Sequence, residues 1–244
     1  MIIKKYLHSC LLLEEDGKRL LIDPGMFSFI EGKLTPEDIG PVDVILFTHK
    51  HPDHYDPEAL KAIIGSSRLR SNNTILRPSE ARGEVPIIVT HTEIGALLEK
   101  EGLPFEAIAA GETKTIAGFT IQALAAAHGP IPAEPPHNLA YLINGKVLHP
   151  GDSLDVDVRG LASRVIEAKP RSTSTLALPI AGPWLRLVDA LEFAKRLAPS
   201  HVIPIHDAII KEFMLQRMNV MIASNLEAAG IAFHPIGLGE SLDV

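Results

Sequence analysis

The residues with the most chemistry to offer sit in one short run. His49-Lys50-His51-Pro52-Asp53-His54 packs three imidazoles and a carboxylate into six positions, in a chain that has eleven histidines. Imidazole nitrogen and carboxylate oxygen suit divalent cations such as Zn2+, Mn2+ or Fe2+. In a loop leaving a strand, positions i and i+2 reach one ion while i+4 and i+5 reach another. His49 and His51 then serve a first metal, and Asp53 and His54 a second. The competing reading is a polar loop whose histidines face solvent. Three later residues weigh against it. His128 in LAAAHGP suits a third ligand to the first metal, Asp152 in the glycine turn of LHPGDS a carboxylate bridging two ions, and His206 in VIPIHD the completion of the second. Singly these read as a surface residue, a helix N-cap and a strand-end polar group. Their order behind HKHPDH favours a metal centre.

Elements must bring these residues together. VDVILFT at 42–48 is a near-continuous apolar run, as expected of a strand buried on both faces, and it ends abruptly at His49. IIKKYL, CLLLEE and RLLIDP read as earlier short strands, the last two joined by a hairpin turn at Glu15-Asp16-Gly17-Lys18. Residues 31–41 read as a loop. Asp56 and Pro57 fit the N-cap and first position of a helix whose apolar face is Leu60, Ile63 and Ile64. VPIIVT at 85–90 is another strand, and Thr90 with Glu93 forms a capping-box pattern for a helix to Lys100. Residues 104–150 are β-rich, interrupted at 129–138 by a rigid loop with four prolines. TLALPI and HVIPI are buried strands, with helices expected at about 185–198 and 207–229 before a final strand IAFHPI. No boundary signal divides the chain, so 1–244 reads as one α/β domain.

Composition sets outer limits. Apolar residues make up 46% and charged residues 22%, a globular balance that excludes a disordered chain. The net charge of −7 argues against a nucleic-acid binder, which needs a basic surface. Cys10 is the single cysteine, so no internal disulfide forms. No apolar run approaches the ~20 residues of a membrane helix, and the N-terminus lacks a signal peptide's apolar core. The expectation is a cytoplasmic protein with a small-molecule substrate and no membrane partner; a homo-oligomer stays open.

The ordered set Asp23, His49, His51, Asp53, His54, His128, Asp152 and His206 resembles the metallo-β-lactamase-fold hydrolase superfamily, whose hallmark is H-x-H-x-D-H. His8-Ser9-Cys10, HPDHYD, LHPGDS and Gly182-Pro183-Trp184 resemble the branch of small hydrolases that includes L-ascorbate 6-phosphate lactonase. The resemblance implies an αβ/βα sandwich: two facing mixed β-sheets, helices outside, and the metal site at one edge. It also implies that Asp23 orients a ligand histidine from behind, and that His8 lies near the site.

Two divalent ions, Zn2+ or Mn2+, about 3.5–4 Å apart would share a bridging hydroxide acidified toward a pKa of ~7. Asp53 is the expected catalytic residue, orienting that hydroxide and returning a proton to the leaving group. His149, His137 and Trp184 read as either pocket residues or structural ones, His91, His201 and His234 as structural or exposed. Lys50 is expected to point away from the metals. Arg68, Arg70, Arg77 and Arg82 read either as receivers of an anionic substrate or as a solvated loop.

The function expected is a dinuclear hydrolase cleaving a small, anionic lactone, ester or phosphoester. A nuclease or phosphodiesterase of the same fold is the alternative, with a non-catalytic metal-binding protein behind it.

Overall fold

Leu11, Leu12 and Leu13 are all fully buried, which a strand permits only when both of its faces are covered. That condition holds through most of the molecule. The computed structural model describes residues 1–68, 85–157 and 175–244. Its first sheet contains β1 (Ile2–Lys5), β2 (Leu11–Glu15), β3 (Lys18–Ile22), β4 (Val44–Leu46), β5 (Ile87–Thr90), β6 (Glu106–Ala107) and the C-terminal β14 (Ser241–Asp243). Its second contains β7 (Thr113–Ile116), β8 (Phe119–Ala125), β9 (Leu139–Ile143), β10 (Val147–His149), β11 (Thr175–Pro179), β12 (His201–Ile205) and β13 (Ala232–Phe233).

The strand orders are β14-β1-β2-β3-β4-β5-β6 and β13-β12-β11-β10-β9-β8-β7. Each sheet is mixed. The run from β14 to β3 is antiparallel and that from β3 to β6 parallel. Likewise β7 to β10 is antiparallel and β10 to β13 parallel.

Side-chain alternation assigns the layers. Leu11, Leu13, Leu20 and Ile22 of the first sheet meet Ile121, Tyr141, Ala177 and Ile203 of the second in a shared central core. Leu12, Leu21, Ile45 and Ile88 face the other way, onto helices α2 (Pro57–Arg68) and α3 (Thr92–Lys100). Leu142, Leu176 and Val202 face outward onto α4 (Leu187–Leu197) and α5 (Glu212–Glu227). The result is the αβ/βα sandwich expected from the sequence.

Several local expectations hold. The hairpin pairs Glu15 with Lys18, and Asp56 Oδ1 accepts hydrogen bonds from the Glu58 and Ala59 amides as an N-cap. Others are corrected. Thr90 does not cap α3: it ends β5 and its hydroxyl donates to Phe47 O, while Glu93 turns to Lys50. A capping box does form in the stretch read as a loop, where Thr35 and Asp38 close the short helix α1 (Pro36–Ile39). The last long helix starts at Glu212 rather than 207, because turns occupy 208–210. The final strand shrinks to β13, and β14 is an element the sequence reading did not foresee.

Candidate metal centre

Every candidate ligand leaves the C-terminal end of a strand on the same edge of the sandwich. His8 follows β1, Asp23 follows β3, and His49 to His54 follow β4. His128 follows β8, Asp152 follows β10 and His206 follows β12. The chain turns sharply at three of these points: His8, Asp23 and His206 have φ of 61°, 50° and 64°. Such left-handed backbone is uncommon outside glycine and persists where its surroundings impose it.

Two groups of donors result: His49, His51, His128 and Asp152, and beside them His8, Asp53, His54 and His206. In the first, His51 Nδ1 lies 3.1 Å from His49 Nε2 and 3.2 Å from His128 Nε2. In the second, His54 Nε2 lies 2.9 Å from His206 Nε2, and His8 Nε2 lies 3.1 Å from Asp53 Oδ2. Asp152 stands between the groups. Its Oδ1 is 2.6 Å from His206 Nε2 and 2.9 Å from His54 Nε2, while its Oδ2 is 3.5 Å from His128 Nε2 and 3.8 Å from His49 Nε2.

The hydrogen bonds behind the rings fit divalent cations in front of them. His128 Nδ1–H donates to Gly129 O at 2.7 Å, which leaves Nε2 as a lone pair facing the first group. His54 Nδ1–H donates to Asp23 Oδ2 at 2.7 Å, leaving Nε2 for the second. Asp23 is itself fixed by the Thr48 amide at 2.8 Å and hydroxyl at 2.6 Å. Asp152 Oδ1 is buried with no hydrogen-bond partner despite its short distances to two rings. An orphaned carboxylate oxygen among converging lone pairs is costly by itself and is satisfied by a cation.

The electrostatics are set by burial and by the buried carboxylates of Asp23 and Asp152. Burial holds His49 well below the ordinary histidine pKa, keeping it neutral as a ligand must be. Burial opposes charge on His54 too, but the carboxylates of Asp152 and Asp23 outweigh it and raise its pKa well above normal. For Asp152, burial is overcome by His206 and His54, which hold its pKa well below the carboxylate range. Burial lowers His8 to about 4 against the pull of Asp53.

His149 is fully buried and touches neither group. Its Nε2–H donates to Ser9 O and its Nδ1 accepts from the Gly151 amide, so it props the turn carrying Asp152. His137 is exposed and belongs to neither donor group, with its amide donating to Glu93 and its ring tilted against His91, centroids 4.4 Å apart. Trp184 is buried, its ring 5.9 Å from His128 and 6.0 Å from His206. Lys50 points outward to Glu93 at 2.8 Å. Arg70, Arg77 and Arg82 lie outside the described residues, as does the side chain of Arg68 at the end of α2.

Three positioning residues escaped the sequence reading. Thr48 anchors Asp23. Asn138 donates from Nδ2 to Ala126 O and Pro150 O and accepts the Asp152 amide on Oδ1, tying β8 to the Asp152 turn. Gly25 lies so close to the ligand loop that a Cβ would sit 2.1 Å from the carbonyl carbon of Asp53. Only Gly25 left a trace in the sequence, in Asp23-Pro24-Gly25. Above both groups opens a cavity of about 300 Å3, with His51, Asp53, His128, Asp152 and His206 at its floor.

Comparison with known proteins bears on this geometry. Residues 2–206 match a family model described as a beta-lactamase superfamily domain. Protein Rv0786c of Mycobacterium tuberculosis is 31% identical over 211 residues, covering 83% of this chain and 82% of its own. A UPF0173 metal-dependent hydrolase of Carboxydothermus hydrogenoformans is 26% identical over 212 residues, covering 82% of this chain and 81% of that one. Among solved structures, the metallo hydrolase Igni18 of Ignicoccus hospitalis has a TM-score of 0.69 at 21% identity, over 99% of this chain and 98% of its own.

Proposed function

This chain belongs to the beta-lactamase superfamily domain family, and from that premise we propose that it is a dinuclear metal-dependent hydrolase of a small molecule. The observation that carries the reading is Asp152, buried, with one carboxylate oxygen on each of two histidine-rich groups. His49, His51 and His128 would hold the first ion and Asp53, His54 and His206 the second, with Asp152 shared. His8 stands beside the second group, its Nε2 3.1 Å from Asp53 Oδ2, where it positions that carboxylate rather than holding an ion. Bound there, divalent cations such as Zn2+ or Mn2+ supply Lewis acidity, acidifying a water and polarising a carbonyl or phosphoryl oxygen.

The chain's own residues do the rest. Asp23 and Gly129 O keep the protons of His54 and His128 on Nδ1, so each ring presents Nε2 to its own donor group. Asp53 carries the proton work. It faces the cavity, and although burial would raise its pKa, His8 and His54 hold it well down, so Oδ2 is an acceptor at neutral pH. From there it would orient the attacking water by accepting its hydrogen bond and pass that water's proton on to the leaving group. His8, donating to the same oxygen, fixes which lone pair faces the substrate. Trp184 walls the cavity and excludes water from one side.

The motifs shared with L-ascorbate 6-phosphate lactonase-like hydrolases make a lactone or ester the first bond to try, and a phosphoester the second. The test is elemental mass spectrometry on protein purified without chelators, beside Asp152→Ala and His128→Ala, followed by a lactone, ester and phosphodiester panel. The expected result is about two metal equivalents in the wild type, loss in both variants, and hydrolysis that follows metal content. Metal below ~0.2 equivalents that added Zn2+ or Mn2+ does not restore would refute the reading.

A further inference from the structure

The cavity over the metal centre has a polar floor and an apolar rim. Met26, Phe27, Ile131, Pro183, Trp184 and Ile209 form the rim. They come from four separate segments: the turn after β3, the proline-rich loop after β8, the turn after β11 and the turn after β12. Met26 is 44% exposed and Ile209 50% exposed, a concentration of bare apolar surface at the mouth of a site. Among the described residues, no lysine or arginine lines this cavity.

The aromatic part of the rim is fixed in place. A Cβ on Gly129 would fall 2.2 Å from the Trp184 ring, and one on Gly182 would fall 2.9 Å from Trp184 Nε1. The indole is therefore clamped between two backbone segments that only glycine lets so near. A rigid aromatic wall is a preformed surface for an apolar partner, since little side-chain freedom is lost when something packs on it.

We infer that the non-reacting body of the substrate is an uncharged alkyl or aryl group, seated against this rim while the scissile group lies on the floor. The inference rests on the hydrolase reading above and deepens it. An anionic body would leave its hydration behind and find no lysine or arginine among the described residues of these walls. The expectation of an anionic substrate came from arginines that lie outside the described residues. The cavity of about 300 Å3 is at the small end for ligand sites, so the body is compact, on the scale of one ring or a short chain.

Hydroxamic acids test this without knowledge of the substrate, because they share one metal-chelating head and differ in the tail. Acetohydroxamic acid, phenylacetohydroxamic acid and the monohydroxamic acid of succinate would be titrated calorimetrically into the Zn2+-loaded full chain. Phenylacetohydroxamic acid is expected to bind about tenfold tighter than acetohydroxamic acid, and the carboxylate-tailed compound no tighter than the latter. Met26→Ser and Ile209→Ser should each reduce the phenyl preference about threefold or more, with metal content by elemental mass spectrometry equal to wild type. Preference for the carboxylate tail, or a phenyl preference that neither variant moves, would overturn the inference while acetohydroxamate binding keeps the metal centre intact. A chain that retains no Zn2+ and binds none of the three compounds would refute the hydrolase reading itself, and this inference with it.

Discussion

Asp23 belongs to neither donor group, yet it decides how one donor is presented. With Thr48 N–H and Oγ–H on its two oxygens, it holds the Nδ1 proton of His54 and leaves Nε2 for the second donor group. Asp23→Asn preserves shape but weakens that hold, so affinity for the second metal should fall about 10–100-fold in chelator competition. An unchanged affinity would mean that the His54 tautomer is set elsewhere. His91 poses a different residue-scale question. It is buried, its Nε2–H donates to Thr48 O, and its pKa is lowered to about 4, chiefly by burial and then by His137. A folded pKa below the ordinary value of ~6.5 means the unfolded chain binds the proton more readily between those limits. His91 therefore favours the folded state above pH ~6.5, and that contribution is lost as pH falls toward 4, by at most about 3 kcal/mol. In chelator-stripped protein, His91→Gln should lose less stability than wild type between pH 7.5 and pH 4.5. Parallel urea midpoints for the two proteins across that range would contradict this assignment.

The ligand loop is an element with its own packing requirement. Gly25 has φ −83°, a conformation open to any residue, so backbone strain is not its reason. The reason is contact: a Cβ there would meet Asp53 C and O at 2.1 Å and His54 N at 2.3 Å. Gly25→Ala should push the HKHPDH loop away from β3, cost about 1–3 kcal/mol in unfolding free energy, and reduce metal content most at the second group. An alanine variant with wild-type metal affinity and stability would show that the loop yields without consequence. This close approach also explains what the sequence made readable. Strands such as β4 and β12 are legible because an apolar run stops at a ligand, and the order of those stops is the order of the donors. The linkages were not legible, because they join distant segments: Asn138 to Asp152, Thr48 to Asp23, and Gly129 to Trp184. Thr90 misled because its hydroxyl suits a cap locally, whereas β5 places it against Phe47 O across the sheet. β14 escaped because a short, half-exposed Ser-Leu-Asp segment becomes a strand only through pairing with β1. The proline-rich loop and the 3-10 helix Met26–Gly32 bring Ile131, Met26 and Phe27 to the cavity.

At the scale of the whole molecule, the centre lies on the seam between the two sheets. The first group takes His49 and His51 from the first sheet and His128 and Asp152 from the second; the other group takes His8, Asp53 and His54 from the first and His206 from the second. A buried ion pair crosses the same seam. Lys5 of β1 is buried and donates to Asp207 Oδ2 at 2.7 Å, immediately after His206. Removing one partner strands a buried charge, so Lys5→Met should cost about 3–5 kcal/mol. Lys5→Met with Asp207→Leu should recover much of that loss, and urea unfolding of the single and double variants reads it directly. Equal losses in the single and double variants would show that the pair's charge balance is not what holds the seam. The two candidate metal sites span the same seam. Because each donor group spans both sheets, a cation bound by the folded seam and not by the unfolded chain stabilises the whole sandwich rather than one loop. At free metal 100-fold above Kd, each site should add about 2.7 kcal/mol, or roughly 5–10 °C in Tm for a domain of this size. His128→Ala, which strips the first group of its only second-sheet imidazole, should lose about half of that metal-induced shift. If Zn2+ raises Tm fully in His128→Ala, or not at all in the wild type, the ions do not couple the sheets, and the seam is held by its core and by polar links such as Lys5–Asp207, His149–Ser9 and Tyr141–Phe47.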